Sequence, residues 1–395
     1  MASTPSVASF KNRALKLESA ESVQKLFDGI DLTGIEKLVM SGNTLGVDAG
    51  KGLAEVIRKM PNLKAANLSN IFTTRSIDEI PGALTPICTA LAECPNLVDV
   101  DIGDNAFGQR AVDSVMPLLT NGPPLEVLKI ANIGMNVEGG RSLAGALAGA
   151  AKRHRDAGVL PKLRTLALSR NLLGDGSAEA WANAISCYPT LERFESNRNE
   201  FRESGVTVIA TALGGCTKLR RIVIEDAVVG NVDNDEVDGL VRGWKAIADL
   251  VRQSAPNLEM LHLPSCSFRT EGCEELVSAL NDEFYPNLKS IRFDHNDFED
   301  SHFQSFLTAL KTKLPALSFM KVTTNDDLED DPHLEEIGRI LESRKGRFVR
   351  LHEDSFSDED DVEVCSDDDA NIAGEADPDT SVDTLIELLD KNLSV

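Results

Sequence analysis

A short pattern, Leu163-x-x-Leu166-x-Leu168-x-x-Asn171-x-Leu173, recurs along this chain and constrains its fold more than any other feature. In such a pattern the leucine-spaced run forms a short strand and the asparagine turns the chain out of it. Equivalent first positions fall at Ile35, Leu63, Leu97, Leu125, Leu163, Leu191, Leu219, Leu258, Leu288 and Leu317, which makes ten units. Several are spaced by 28 residues, as from Leu163 to Leu191 and on to Leu219. Longer steps, such as Leu125 to Leu163, imply insertions, which in a repeat array are expected in loops. Between the strands lie stretches such as GKGLAEVIRKM and QRAVDSVMPLLT, whose apolar residues recur at three and four spacing, as in an amphipathic helix.

Alternating strands and helices at this period predict an α/β leucine-rich-repeat solenoid, a horseshoe similar to ribonuclease inhibitor with parallel strands on the concave face and helices on the convex one. No unit buries its apolar side alone, so the array shares one elongated core and needs a cap at each end. Residues 1–34, with the helical ESAESVQKLFDGI, are expected to form the first cap. The repeat domain spans 35–352 and closes on a second cap, LEEIGRILESRKGRF. From 353 to 395 the composition changes: EDSFSDEDDVEVCSDDDANIAGEADPD holds no lysine or arginine and few large apolar residues. Such a run cannot offset its chain entropy by burial and is predicted to be disordered. The last residues regain an apolar stripe, Val382, Leu385, Ile386, Leu389 and Leu393, compatible with a short terminal helix.

Forty Lys and Arg against 64 Asp and Glu give a formal charge of −24, which disfavours nucleic acid or an anionic membrane as partner and favours a basic protein surface. The N-terminus lacks the apolar core of a secretory signal and no stretch is long enough to span a bilayer, so a soluble, intracellular chain is expected, and it is expected to be a monomer. Seven cysteines without C-x-x-C pairs read as reduced, mostly buried thiols. The six histidines sit in unrelated repeats, and neither an HExxH nor a phosphate-binding G-x-x-x-x-G-K-[ST] is present. A self-contained hydrolase site, or a cofactor of the chain's own, is not expected.

The informative places are where a repeat departs from its own consensus. In the second unit Ile71 holds the asparagine slot, and the turn is replaced by IFTTRSIDEIP. In the fourth, Ala131-Asn132-Ile133-Gly134-Met135 places Asn132 one residue before that slot. Both departures lie at strand-to-helix turns on one rim. Spacing leaves open whether Asn132 satisfies backbone groups of its turn or serves a partner, and whether Arg75 is a solvated loop cation or a functional one.

LSNIFTTRSIDEIPGAL (68–84), IGDNAFG (102–108), ANIGM (131–135) and SRNLLGDG (169–176) resemble the Ran GTPase-activating proteins, whose motif runs close to S-D-I-F-T-G-R-x-[KR]-x-E-I-P-x-A-L. The opening LVMSGNTLGVDAGKGLAEVI fits their first repeat, and the match follows the whole array in order into an acidic region. The resemblance implies an activator, not a hydrolase: it speeds GTP hydrolysis in Ran's own pocket, where GTP and Mg²⁺ are bound, and so supports the Ran-GTP gradient of nucleocytoplasmic transport. It implies as partner Ran in its GTP-bound form, with or without a Ran-binding protein, and a cytoplasmic or perinuclear location. Asn132 matches the family's asparagine that holds Ran's catalytic glutamine without an arginine reaching the phosphates. Arg75 matches its essential arginine, assigned to alignment of Ran or to bracing the loop. Asp78, Asp104 and Arg170 become candidate partner contacts, whereas Asn105, in the regular turn slot, reads as scaffold. Thr74 stands where the motif has glycine and Ile77 where it has a cation, substitutions expected to restrict the loop and weaken a contact. The insertion at Ala227–Glu236 has no assigned role. The alternative function is a non-catalytic scaffold binding a protein across a broad patch of strands, instead of at the rim turns.

Overall fold

A computed structural model of the chain describes residues 6–229, 243–324 and 331–352. The expected acidic tail with its terminal helix, and most of the Ala227–Glu236 insertion, lie outside the described residues.

Twelve strands, all parallel and in sequence order, form one sheet. Ten of them begin at or two residues after the counted leucine positions, for example Thr165–Ala167 after Leu163 and Ser290–Arg292 after Leu288. Register follows from the repeat: Leu38, Ala66, Val100, Leu128 and Leu166 pair across successive strands as one column, each at most 2% exposed. The column continues through Phe194, Ile222, Leu261, Ile291 and Met320. Helices such as Val47–Ile57 and Gly174–Ser186 return the chain and bury Leu53, Ile57, Trp181 and Ile185 against the other face of this core. The described cysteines are unpaired, and all but Cys187 are buried.

Two strands escape the leucine count. Ser6–Ser9 pairs with Ile35–Val39, and Arg347–His352 pairs with Phe319–Thr324, so each terminal segment extends the sheet as well as covering it. Their sequences, SVAS and RFVRLH, lack the leucine frame because an edge strand has one neighbour, and polar or charged residues there discourage pairing with another chain. The first helix, Ala20–Leu26, opens on a capping box in which Ser19 and Ser22 each accept the other's backbone N–H. One insertion also differs from expectation. The long step from Leu125 to Leu163 is taken up largely by a helix of 20 residues, Val137–Asp156, because its alanine-rich sequence continues the helical register.

At each strand exit the chain must turn while its backbone groups are buried, and every such group needs a partner. Asn171, 1% exposed, supplies several: its Nδ2 donates to the carbonyls of Ile130 and Leu168 at 3.0 and 2.7 Å, and its Oδ1 accepts from Ile133 and Met135 N–H. Asn105 does the same for Leu68, Ile102 and Ile71, which makes it the scaffold residue its slot suggested. Units lacking their own asparagine, at Ile71 and Ile133, are therefore held by the asparagine of the next unit. Asn171→Ala is expected to destabilise the fold by about 3 kcal/mol, because two turns lose partners at once. Urea unfolding followed by circular dichroism measures this.

Candidate functional site

One residue before the asparagine slot, every strand exit from Asn70 to Asp226 adopts the left-handed conformation. The angles φ are 50° at Asn70, 55° at Asp104, 51° at Asn132, 57° at Arg170, 51° at Arg198 and 53° at Asp226. Asparagine and aspartate tolerate this region better than other side chains because they bond locally. Successive turns are tied by backbone bonds from Asp104 N to Ala131 O (2.9 Å), Asn132 N to Ser169 O (2.7 Å) and Arg170 N to Asn197 O (2.6 Å). The row therefore runs along one rim as a line of polar side chains, exposed except for half-buried Asn132.

Asn132 Nδ2 donates to Asp104 Oδ1 at 3.0 Å. Its own Oδ1 accepts no hydrogen bond among the described residues. Among the described residues the Asn132 side chain does not bond the backbone of its turn, where Asn171 accepts from Ile133 and Met135 N–H and donates to Ile130 O. Two residues on from Asn132, Gly134 (φ 75°) lies against Gly108 so closely that a Cβ would sit 3.1 Å from the Gly108 Cα and N. Only glycine permits that approach.

Arg75 is placed differently. Its side chain is 13% exposed and is taken up by the N-terminal segment 57 residues away. Nη1 and Nη2 donate to the two carboxylate oxygens of Glu18 at 2.9 and 2.8 Å, and Nε donates to Thr44 Oγ1 at 3.0 Å. Thr44 Oγ1 in turn donates to Thr73 O at 2.7 Å, so the same cluster holds both ends of the loop base. The hydrogen bond from Arg75 holds the Glu18 carboxyl below its ordinary value, and Glu18 raises the guanidinium in return. Gly46 leaves room for this bridge, since a Cβ there would come within 2.8 Å of Glu18 Oε2.

The remaining candidates separate by partner. Asp78 pairs with Arg110 at 2.7 Å in the open, where such a pair contributes little stability. Arg170 is exposed and has no ion-pair partner among the described residues, in contrast to Arg198, which bonds Asp226 at 3.0 Å. A groove of about 610 Å³ lies between the 72–80 loop and the Asp104 turn, lined by Phe72, Thr74, Arg75, Ile77, Asp104 and Ala106. Ile77 in the 72–80 loop and Leu172 in the turn after Arg170 are exposed apolar side chains, 39% and 54% accessible. The loop, the Asp104 turn and Asn132 are thus brought together, while the Arg75 guanidinium is drawn back into the fold.

No family model matches the chain. It is 27% identical to Ran GTPase-activating protein 1 of Saccharomyces cerevisiae over 338 residues, 83% of this chain and 80% of that protein. It is 28% identical to the Ran GTPase-activating protein of Drosophila melanogaster over 82% of this chain and 58% of that one. With Ran GTPase-activating protein 1 of Xenopus laevis it shares 35% over 195 residues, 48% of this chain and 34% of the frog protein. The chain thus spans most of the yeast relative's length and less than two thirds of the fly and frog proteins. Along most of its length it is similar to Ran GTPase-activating proteins.

The two departures from the motif that the chain resembles acquire a geometry. Thr74, in the glycine position, has φ 67°, a region that a β-branched residue enters only with strain. Ile77, in the cation position, packs its Cδ1 toward Gly108. Glu18 and Thr44, the partners of Arg75, gave no local signal in the sequence, being 57 and 31 residues from it.

Three outcomes follow. Thr74→Gly is expected to relieve about 1 kcal/mol of left-handed strain, seen as a raised melting temperature. Arg75→Ala is expected to release the N-terminal segment, with amide exchange over residues 15–19 rising by on the order of tenfold or more. Because Glu18 is depressed in the folded state, its contribution is full at neutral pH and is lost as pH falls through that lowered value. Glu18→Gln should remove that acid-side component from the melting profile.

Proposed function

We propose that this chain is a GTPase activator for Ran in its GTP-bound form, and that it acts by presenting Asn132 to the catalytic glutamine of Ran. Hydrolysis of GTP needs little covalent help: water must be oriented and developing charge stabilised. A glutamine that orients the water is a poor catalyst while its amide is free to rotate. A second carboxamide suits the task of holding it, because it donates and accepts while adding no charge beside the nucleotide.

The observation that carries this reading is the state of Asn132: half-buried, on a rigid left-handed corner, with Nδ2 engaged by Asp104 and Oδ1 without a hydrogen-bond partner among the described residues. The names of the relatives support Ran as the GTPase. Arg75, committed to Glu18, Thr44 and the fold, supports a mechanism without an arginine finger and a bracing role for this residue. The histidines buried in the repeats are occupied structurally, His262 with Ser290, His154 with the Gly122 carbonyl and His302 in the cap of a helix, which supports an activator working in trans. Arg170, uncommitted and two positions of the stack from Asp104, is assigned to binding Ran. The net charge of −24 favours approach to a basic surface.

Single-turnover hydrolysis of GTP by Ran at saturating activator tests this. The wild-type chain should accelerate hydrolysis and Asn132→Ala should lose about 10²-fold or more of that rate, while unfolding free energy falls by only about 1 kcal/mol for alanine at a left-handed position. Equal rates for the two proteins would sink the mechanism. Binding to Ran·GTP with no acceleration by the wild type would favour the scaffold reading instead.

A further inference from the structure

Asp104, next to Asn132 in the rim row, accepts the one hydrogen bond that the Asn132 side chain makes among the described residues. A carboxamide can be turned end for end at small cost, exchanging donor for acceptor. A carboxylate has no hydrogen to give, so Asp104 Oδ1 can face only the Nδ2 end of Asn132. We infer that Asp104 is a positioning residue: it locks the Asn132 amide so that Oδ1, the acceptor, is the end offered to the partner. This rests on the activator reading above and deepens it, because it states which half of the asparagine does the work. The complementary group on the GTPase is then an N–H donor, such as the amide nitrogen of a glutamine, whose own oxygen is left to accept from water.

The surrounding backbone gives this contact little slack. The Asp104 and Asn132 turns are joined by Asp104 N to Ala131 O (2.9 Å), Ala106 N to Asn132 O (3.1 Å) and Gly108 N to Ile133 O (2.8 Å). Asp101 Oδ1 fixes the approach to the first turn by accepting Gly103 N–H at 2.9 Å. Both residues of the pair occupy the left-handed region at nearly the same φ, 55° and 51°, so their side chains leave equivalent corners of adjacent units. The rest of the row does not repeat the arrangement: the next positions are Arg170, without an ion-pair partner among the described residues, and Arg198, which faces Asp226.

Two substitutions at Asp104, with Asn132→Ala as background, separate positioning from direct contact. Asp104→Gly removes the acceptor at a corner where glycine is unstrained. Asp104→Asn keeps an oxygen that can accept from Nδ2, and Asp104→Leu is avoided because it adds left-handed strain. With the full chain and Ran·GTP, Asp104→Gly should lower the saturated single-turnover rate on the order of tenfold, the rate equivalent of one hydrogen bond, with half-saturating activator concentration within about twofold of wild type. Asp104→Asn should restore most of the rate. In an Asn132→Ala background, Asp104→Gly should have no further effect, since there is no amide left to orient. A raised half-saturating concentration with an unchanged saturated rate would overturn the inference and make Asp104 a contact of the GTPase. Additive losses in the double variant would overturn it as well. If Asn132→Ala alone left the saturated rate unchanged, the activator mechanism itself would fail, a result distinguishable from either of these. Circular dichroism melting of each variant excludes loss of fold as the cause.

Discussion

The structure depends on how the buried turns at the strand exits satisfy their backbone groups. A short parallel strand that ends inside a solenoid leaves N–H and C=O groups facing neither water nor a helix, and unpaired groups there are costly. The asparagine slot answers this with one side chain that both donates and accepts. Asn171 bonds carbonyls of its own unit and the unit before it, and accepts two N–H groups of the fourth unit. The bonds cross between units, so each turn is fixed partly by its neighbour. That is why the second and fourth units can lose their own asparagine, at Ile71 and Ile133, without losing the turn.

This division of labour frees the preceding position. Because the slot residue holds the backbone, the left-handed residue before it has no structural bond that it must make. Along the rim such residues become a line of side chains at the spacing of the strands, set on a frame as rigid as the sheet. Sites that need accurate placement gain from rigid elements, and here a turn residue inherits the rigidity of the sheet it leaves. Asn132 and Asp104 bond each other across that line, while Arg198 and Asp226 form an ion pair further along it.

Much of this was legible in the leucine period. A strand with a neighbour on each side stacks its inward residue in one shared apolar column, so the ten inner strands announce themselves and their register with them. The edge strands Ser6–Ser9 and Arg347–His352 do not, because a one-sided strand relaxes the requirement. The offset of Asn132 from the consensus was visible, but its meaning was not, since a turn asparagine and a presented one differ only in what they bond. Arg75 shows the limit most clearly. Its partner Glu18 lies in a segment whose sequence carries no repeat, and nothing near Arg75 indicates that its charge is spent internally.

That internal use of Arg75 bears on why a loop with a strained Thr74 is tolerated. The loop is pinned from below by Thr44 and by the Glu18 bridge, and from its far end by the helix Ile80–Ala92 with Pro81 in its first turn. Held at both ends, it keeps φ 67° at Thr74 whatever that residue prefers. The cation at Arg75 thus acts on the rim through the shape of the loop, and the wall it supports faces Asp104 across the groove. A charge offered to a partner would need an arginine with slack; the Arg75 guanidinium is instead held by Glu18 and Thr44.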